Sequence, residues 1–338
     1  MKHGDLARAT GLTNAVLRSL ARLVESGELR FPALADDPVG HLSQWLSLPR
    51  WLAERWLAEL GPQSAAALAE TCLGPPPRTV RVALHVDRDA LARELRGQPT
   101  RFAPRGITGL ARDPVGESTF TRGEISVQDE ASQLVPLLLG AGSGDVVVDC
   151  CAAPGTKTAQ LAELVGERGE VIALELHESR IGLIRRALER TGARNVRVLQ
   201  RDVRQGFDLQ GPLQYRYLLV DAPCSGLGTL RRNPDARWRL TPEDVGRSAE
   251  GALAILTSVA RYAGPGGVVV YSVCTFTPEE TSQVVESFLA SHPDFRLDDP
   301  RRFLPESAEK LVDADLAMRT WPHLHGCDGF YAVRLVKQ

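Results

Sequence analysis

The sequence lacks any long hydrophobic run. No window of the 338 residues approaches the ~18 consecutive apolar residues that a membrane-spanning helix needs. The first ten residues, MKHGDLARAT, also lack the apolar stretch of a secretory signal. With 43% hydrophobic and 24% charged residues, the composition is that of an ordinary globular chain long enough for two or three domains. We therefore expect a cytoplasmic protein that has no membrane partner.

Lysine is scarce, and the chain carries little net charge. The only lysines are Lys2, Lys157, Lys310 and Lys337, and the formal net charge is −2. An overall basic field is thereby excluded, so any contact with nucleic acid must come from a local patch. Lys157 is conspicuous because it lies inside a motif of small residues.

The six cysteines form no CxxC pair and no spacing that suits zinc. Since disulfides are rare in cytoplasmic proteins, we expect free thiols and no bound metal. We interpret Cys72, Cys150 and Cys327 as packing residues.

The chain changes from a purely helical pattern to a mixed one near residue 75. Before that point apolar residues recur at helical spacing, as in LTNAVLRSLARLVESG and PRWLAERWLAEL. The breaker GPPPRT precedes a predicted strand and a helix opened by Asp87. We therefore predict a helical region over 1–74, an α+β linking segment over 75–142 and a main domain over 143–338.

The main domain alternates apolar runs of strand length with amphipathic helices. The runs are VVVDC, VIALE, VRVLQ, YLLVDA and GVVVYSV, with FRLDD and GFYAVRLV closing the sheet. Helical patterns such as KTAQLAELVG and SRIGLIRRALERTG separate them. This order predicts a doubly wound, mostly parallel α/β sheet of Rossmann type with helices on both faces.

The strand ends predict a nucleoside site, because ligands of open parallel sheets bind beyond the carboxyl ends of the strands. The first strand ends in DCCAAPGTKT, which is neither GxGxxG nor a P-loop, since Thr156 stands before the lysine. Glu175, Asp202 and Asp221 follow the next three strands. Carboxylates repel polyphosphate and suit an uncharged or cationic nucleoside such as S-adenosylmethionine. Alternatively, each acid only caps a helix or faces solvent.

Two cysteines follow neighbouring strands of the predicted sheet. Cys224 comes after the fourth strand and Cys274 after the fifth, so both thiols are expected at one edge of one crevice. Thiols are the best nucleophiles that this chain offers. Methylation of carbon 5 of cytosine needs a nucleophile at carbon 6 and a second group that removes the carbon-5 proton. Two thiols beside Asp221 supply these groups, and two ordinary buried cysteines are the alternative.

Five segments of the chain resemble the Sun (Fmu, RsmB) family of S-adenosylmethionine-dependent RNA (cytosine-C5) methyltransferases. The segments are GEISVQDEASQLVP, DCCAAPGTKT, DAPCSGLGTLRRNPDARW, YSVCTFTPEE and WPHLHGCDGFYAVRL. The likeness spans about residues 75 to 338. It implies that Cys274 is the nucleophile and that Cys224 assists proton removal and product release. It also implies that Lys157 arranges Asp221 and the base.

The same resemblance implies the contacts with S-adenosylmethionine. The matching loop consists of Cys151, Ala152, Ala153, Pro154, Gly155, Thr156 and Lys157. Glu175 and Asp202 match acids that bind the ribose and adenine portions, and Asp221 matches a residue that contacts cofactor and base. The sequence departs from the family at Thr156, where glycine is usual, and reads SVC and PEET where STC and PEEN are usual.

A basic loop that contains one tryptophan follows Cys224. Its candidate RNA contacts are Arg231, Arg232, Arg237, Trp238 and Arg239. Such a loop can grip phosphates and stack a base, and a solvated loop with a packed tryptophan is the alternative. Other positions are interpreted as an exposed helix face or as loop structure: Arg185, Arg186, Arg190, Arg194, His323 and His325.

These observations predict a monomeric enzyme that makes 5-methylcytosine in an unpaired or flipped cytosine, with small-subunit ribosomal RNA as the first candidate substrate. Three alternatives stay open: an inactive S-adenosylmethionine-binding ribosome-assembly factor, a methyltransferase acting on tRNA, and a DNA cytosine methyltransferase with Cys224 as nucleophile. The segment GLTNAVLRSLARL looks like the last helix of a NusB-like domain. We therefore interpret residues 1–74 as a truncated RNA-binding domain of that kind, either because the chain is a shortened form or because its start has been placed downstream of the true one.

Overall fold

The computed structural model of the chain describes residues 3–28, 30–207 and 214–338. The other positions of the predicted 1–74 and 143–338 regions lie outside the described residues. The chain forms two units, Met1–Glu70 and Thr71–Gln338. None of the described helices is long and apolar enough to span a bilayer.

The first unit is helical, as its periodicity predicts. The helices that begin in it are α1 (His3–Glu25), α2 (Pro38–Gly40) and α3 (Arg50–Leu73), with a π-helical turn at His41–Trp45. Helix α3 is interrupted at Gly61, which has φ 74° and ψ 166° and precedes Pro62. Glycine adopts positive φ without steric cost, and proline cannot donate a helical hydrogen bond, so the interruption falls at this pair.

The second unit begins with a small antiparallel sheet. Its strands are β1 (Val80–Val82), β2 (Gln98–Pro99), β3 (Gly106–Thr108) and β4 (Ile125–Val127), in the order β2-β3-β1-β4. The accompanying helices are α4 (Arg88–Glu94) and α5 (Ser118–Thr121). The carboxylate of Asp87 accepts from the amides of Asp89 and Ala90 and so caps α4 as predicted.

The main sheet has eight strands. They are β5 (Val146–Asp149), β6 (Glu170–Glu175), β7 (Val196–Gln200), β8 (Tyr215–Asp221), β9 (Ala263–Val273), β10 (Phe295–Asp298), β11 (Met318–Thr320) and β12 (Phe330–Lys337). Their order is β10-β12-β9-β8-β5-β6-β7, with β11 paired to β12. Strands β5 to β9 are parallel, whereas β10, β11 and β12 pair antiparallel. The predicted doubly wound, mostly parallel fold is confirmed. From β5 the sheet first grows to one side with β6 and β7 and then to the other side with β8 and β9, and such folds bind ligands at this switch between β5 and β8.

Helices cover both faces of this sheet. They are α6 (Glu130–Leu134), α7 (Thr156–Val165), α8 (Glu178–Thr191), α9 (Ala236–Arg239), α10 (Pro242–Ala260), α11 (Ser282–Ser291), α12 (Glu306–Glu309) and α13 (Pro322–His325). The neighbours Val147 and Val148 of β5 are both fully buried, in two different hydrophobic clusters. Since successive strand residues point to opposite faces, burial on both faces explains the continuous apolar runs in the sequence.

One predicted helix is shorter than expected. The segment VQDEASQLVPLLLGAGSGD contains only α6 as α-helix, followed by 3-10 turns over Val135–Leu139. Pro136 cannot donate the helical hydrogen bond, and Gly140 adopts a left-handed conformation with φ 68° that ends the turns.

Arg190 corrects one interpretation of the sequence. Its guanidinium does not lie on an exposed helix face, because it donates to the carbonyls of Phe120 and Ile125 and to Ser126 Oγ at 2.7 to 2.9 Å. It also stacks 4.0 Å from the centroid of the Phe120 ring. Arg190 therefore joins α8 to the small sheet, whereas Arg185, Arg186 and Arg194 are exposed as expected.

Candidate active site

The carboxyl ends of four parallel strands surround one crevice. Asp149, Glu175 and Asp221 are the last residues of β5, β6 and β8, and Cys274 directly follows β9. The parallel register pairs Asp221 with Ser272 of β9. The sheet therefore brings together acids and a thiol that are far apart in the sequence.

The two predicted thiols are in contact. The Sγ atoms of Cys224 and Cys274 lie 3.4 Å apart, and both residues are half-buried. The hydrogen bond with Cys274, together with burial, raises the pKa of Cys224 well above its usual value. Cys224 therefore keeps its proton, and the two sulfurs lie within hydrogen-bonding distance, where either can be the donor.

Asp221 is fixed from two sides. Its Oδ2 accepts a hydrogen bond from Lys157 Nζ at 2.8 Å, and its Oδ1 accepts one from Ser272 Oγ at 2.7 Å. Burial lowers the pKa of Lys157, but the charge and hydrogen bond of Asp221 outweigh burial and raise it on balance. Lys157 is therefore a fixed cation, which also lies 5.3 Å from the centroid of the Phe330 ring.

The loop between β5 and α7 requires a glycine at position 155 but not at position 156. Gly155 has φ 103°, and a Cβ there would lie 3.0 Å from the Cα of Ile184. Thr156, where the family usually has glycine, is the half-buried first residue of α7. The departure thus falls on a position where a side chain fits. The loop also leads into a helix N-terminus, whose free N–H groups can approach a ligand.

Asp149 at the end of β5 has an unused acceptor. The residue is 1% exposed, and its Oδ2 accepts from Thr158 Oγ1 at 2.7 Å. Its Oδ1 has no donor at hydrogen-bonding geometry in the described part of the chain. Burial raises the pKa of Asp149 to about 6, although the Thr158 hydrogen bond opposes it. A cationic ligand group would supply the missing partner, so this position fits the ammonium of S-adenosylmethionine.

A cavity of about 310 Å³ extends from this loop towards Cys224. Its lining includes Cys151, Glu175, Asp202, Pro223 and Cys224. Its volume lies at the lower end of the range typical of small-molecule sites. The two acids predicted to bind a nucleoside therefore share one cavity with the thiol predicted to assist catalysis.

The two cavity acids also take part in local structure. Glu175 is buried, accepts from the amide of His177 at 3.0 Å and lies 3.6 Å from the guanidinium of Arg180. Asp202 caps a short turn and pairs with Arg204 at 2.7 Å, a hydrogen bond that lowers the pKa of Asp202. Asp202 therefore stays a charged acceptor, and both carboxylates lie at the cavity wall.

Three of the five predicted RNA contacts bind groups of the protein itself, beginning with Arg232. Its guanidinium donates to Asp328 Oδ2 at 2.6 Å and to Asp129 Oδ2 at 2.9 Å. Both aspartates are buried. Two carboxylates already neutralise this cation, so it joins the loop to the rest of the domain and does not offer a phosphate site.

Arg231 and Arg237 also bind the protein itself. Arg231 donates to the carbonyl of Pro75 at 2.7 Å. Arg237 is 2% exposed and donates to the carbonyls of Cys72 and Pro234 at 2.9 and 3.0 Å. The sequence could show that the loop is basic, but it could not show that these guanidinium groups face main-chain carbonyls.

The other two predicted contacts are on the surface. The side chain of Trp238 is 59% exposed, although large aromatic residues are usually covered. Arg239 is 72% exposed at its side chain and pairs with Asp235 one helical turn earlier at 3.0 Å. Exposed pairs of this kind are weak, so Arg239 can exchange its partner for a phosphate.

The departures near Cys274 leave its surroundings intact. Val273 is fully buried within a hydrophobic cluster. By strand alternation its side chain lies on the opposite face from Ser272 and Cys274. Thr281 is also buried and donates to the carbonyl of Thr277 at 2.7 Å. Neither substitution removes a contact with the two thiols.

Three residues of this site were missed by the sequence analysis. Ser272 donates to Asp221, Asp149 ends the neighbouring strand β5, and Glu280 binds the segments that follow both thiols. Strand alternation places Ser272 on the same face as Cys274 and could have indicated it. No group of three His, Cys, Asp or Glu side chains among residues 3–28, 30–207 and 214–338 is arranged to hold a metal ion.

Known proteins share both the sequence and the architecture of this chain. The family model described as "16S rRNA methyltransferase RsmB/F" matches residues 136–336. The probable ribosomal RNA small subunit methyltransferase B of Bacillus subtilis is 36% identical over 332 residues, which are 96% of this chain and 73% of that protein. The structure of PH0851 is 28% identical with a TM-score of 0.81, over 91% of this chain and 70% of that one.

A second solved structure agrees with this result. The methyltransferase homolog protein from Pyrococcus horikoshii is 28% identical with a TM-score of 0.71, over 88% of this chain and 97% of that one. The family model covers more than half of the chain, and the sequence segments noted above lie within or beside its match. The chain therefore belongs to the 16S rRNA methyltransferase RsmB/F family and is an S-adenosylmethionine-dependent RNA methyltransferase.

Proposed function

We propose that this enzyme methylates carbon 5 of a cytosine in small-subunit ribosomal RNA, through a temporary covalent bond between Cys274 and carbon 6. The observation that carries the proposal is the 3.4 Å separation of the Cys224 and Cys274 sulfurs. A cytosine-C5 methyltransferase needs both a nucleophile and a second group at one base. The fixed Asp221 beside the same crevice supplies an acceptor for the amino group of that base.

Cys274 is the nucleophile of this proposal. Its thiolate adds to carbon 6, forming the S–C6 bond, and the electron pair of the C5–C6 double bond makes carbon 5 nucleophilic. The S–H of Cys224 would stabilise that thiolate, because the two sulfurs lie 3.4 Å apart before the addition. When bound, S-adenosylmethionine would supply the methyl group that carbon 5 accepts, with the sulfonium sulfur leaving as a neutral thioether.

Cys224 acts after the methyl group has been transferred. Its raised pKa depends first on the hydrogen bond with Cys274. Once Cys274 is bonded to carbon 6, its sulfur is a thioether and no longer the thiol or thiolate that faced Cys224. Cys224 then loses its proton to solvent and takes the proton of carbon 5. The returning electron pair restores the C5–C6 double bond and expels Cys274 as a thiolate.

Asp221 and Lys157 would hold the reacting groups in place. Ser272 and Lys157 leave the carboxylate of Asp221 little freedom to rotate. Glu175, Asp202 and the free oxygen of Asp149 would hold the cofactor through its ribose, adenine and ammonium portions. Such preorganised contacts lower a barrier because they require no rearrangement during the reaction.

The RNA would present an unpaired or flipped cytosine, because both thiols lie within a crevice and not on an open surface. Trp238 and Arg239 are the exposed side chains of the loop after Cys224 and would contact the flanking strand. The relatives are named for small-subunit ribosomal RNA, which supports this substrate and a cytoplasmic location. All the proposed site residues belong to one chain, so we propose that the monomer is active.

Bisulfite sequencing of cellular RNA with and without the gene tests this function. We expect one or a few cytosines of small-subunit ribosomal RNA to lose their protection from deamination when the gene is deleted. Complementation with the wild-type gene should restore protection, and complementation with Cys274→Ala should not. Loss of protection in tRNA alone would contradict the proposed substrate, and an unchanged pattern in all RNA would contradict the proposed activity.

A further inference from the structure

Glu280 is a buried acid with an unusual set of partners. It is 0% exposed, although it carries a carboxylate. Burying a charge is costly unless hydrogen bonds compensate for its lost hydration. Here the carboxylate accepts four hydrogen bonds, which come from one main-chain amide and three hydroxyl groups. Each compensating donor lies in a segment that follows one of the two active-site cysteines.

The first pair of donors belongs to the residue after Cys224. The amide of Ser225 donates to Glu280 Oε1, and Ser225 Oγ donates to Oε2, both at 2.6 Å. This two-point contact fixes the position and the direction of the chain immediately beyond Cys224. Hydrogen bonds to a charged acceptor are stronger than those between neutral groups.

The second pair of donors belongs to the turn after Cys274. Thr277 Oγ1 donates to Glu280 Oε2 at 2.7 Å, and Thr275 Oγ1 lies 3.3 Å from the same oxygen. Both threonines are buried. The main-chain carbonyl of Glu280 accepts from the hydroxyl of Tyr271 at 2.6 Å, which anchors the acid to β9. The main chain at Glu280 is thus attached to β9, the strand that Cys274 directly follows.

We propose that Glu280 is a positioning residue, which holds the Cys224 and Cys274 sulfurs at reacting distance by binding the segment that follows each cysteine. The inference rests on the proposed function for its catalytic consequence, but the geometric claim stands by itself. Ser225 lies 55 positions before Glu280, so no local turn joins these two segments. Removing the acid would release the Cys224 loop from the Cys274 turn.

Three variants test this role: Glu280→Gln, Glu280→Asp and, as a matched control, Glu286→Gln. Glu280→Gln keeps the shape but replaces one acceptor oxygen by a donor group, which opposes the Ser225 or threonine donors. Glu280→Asp keeps the charge but shortens the reach by one methylene. Glu286→Gln removes the same charge from an exposed position of α11.

The first measurement is the rate at which diamide couples the two thiols in the folded, full-length protein. Diamide takes two electrons and two protons from Cys224 and Cys274, becomes a hydrazine and leaves an S–S bond. Mass spectrometry identifies the linked peptides. We expect Glu280→Gln to slow this coupling between about tenfold and a hundredfold, the range that misplacement of a reacting group can cost. Glu280→Asp should lie in between, and Glu286→Gln should match the wild type.

The second measurement is methyl transfer, together with thermal unfolding. A positioning role predicts that Glu280→Gln lowers kcat about as much as it slows coupling, with KM for RNA and Tm little changed. Unchanged coupling in Glu280→Gln would overturn the inference, as would an activity loss that merely follows the loss of folded protein. If the wild type makes no 5-methylcytosine but Glu280→Gln still slows coupling, the proposed function fails and the positioning role stands.

Discussion

Cys224 Sγ lies 3.4 Å from Cys274 Sγ, although fifty positions separate these residues in the sequence. The contact arises because β8 and β9 are adjacent parallel strands whose carboxyl ends meet at one edge. The hydrogen bond between them, together with burial, raises the pKa of Cys224. A single distance thus supports a reaction that uses both thiols at one base.

Alanine variants of the two cysteines should fail in different ways. Cys274→Ala removes the nucleophile and should reduce methyl transfer by a factor of about a thousand or more. Cys224→Ala should still form the S–C6 bond but cannot remove the carbon-5 proton, so a covalent enzyme–RNA complex should accumulate. Denaturing electrophoresis with labelled RNA checks both outcomes. Normal turnover by Cys224→Ala without a complex would refute the role assigned to Cys224.

Lys157 should act on kcat through Asp221. Lys157→Met removes the cation that donates to Asp221 Oδ2, so the carboxylate keeps only its contact with Ser272. We expect kcat to fall about a hundredfold, because Asp221 loses its fixed orientation. Steady-state methyl transfer measures this effect, and Lys310→Met serves as a control lysine outside the site. Equal effects of the two variants would refute a specific role for Lys157.

The free energy of unfolding should fall as pH rises, because of Asp149. Its pKa is raised to about 6 by burial, so the folded state binds this proton more tightly than the unfolded state does. The stabilising contribution is complete below the ordinary pKa near 4 and is lost as pH rises through about 6. In the absence of cofactor, the free energy of unfolding of Asp149→Asn should fall by up to about 3 kcal/mol less than that of the wild type over this pH range. Urea unfolding between pH 4 and pH 8 measures it, and an identical slope in both proteins would refute the prediction.

Substitution of the exposed residues of the basic loop should weaken RNA binding without lowering the stability of the fold. Trp238→Ala should weaken RNA binding at least fivefold, because a stacked base is worth about 1 kcal/mol or more. Arg239→Ala should reduce the salt dependence of binding by about one counterion. Neither substitution should change Tm. Salt titrations of RNA affinity check these effects, and unaltered affinity in both variants would exclude this loop from the interface.

Arg232→Ala should instead destabilise the fold. It leaves the buried carboxylates of Asp129 and Asp328 without their cation, a change that typically costs about 3 kcal/mol or more. Thermal unfolding should show a Tm several degrees lower than that of the wild type. An unchanged Tm combined with weaker RNA binding would restore Arg232 as an RNA contact.

The sequence predicted the features that depend on periodicity and on strand ends. Apolar runs bounded by helices indicate a parallel sheet, and a parallel sheet places whatever follows its strands at one edge. Cys224, Cys274 and Asp221 could therefore be predicted together, before any distance was known. The shortened helix at Pro136 shows that local breakers still decide where a periodic pattern ends.

The features that could not be predicted depend on partners far away in the sequence. Arg232 looks like a phosphate contact until Asp129, 103 positions earlier, is placed beside it. Glu280 looks like one acid of a turn until Ser225 is found on its carboxylate. Composition records a charge but not its partner. The sequence therefore indicated neither the intramolecular partners of Arg232 nor the hydrogen bonds of the buried Glu280 carboxylate.

The most direct test of the account is peptide mapping of the enzyme trapped on RNA that contains 5-fluorocytidine. Fluorine at carbon 5 cannot leave as a proton does, so the reaction should stop at the methylated covalent complex. After digestion, mass spectrometry should find the nucleotide on the peptide that contains Cys274, with a methyl group at carbon 5. A nucleotide attached to Cys224, or no covalent complex with an RNA that the enzyme binds, would contradict it.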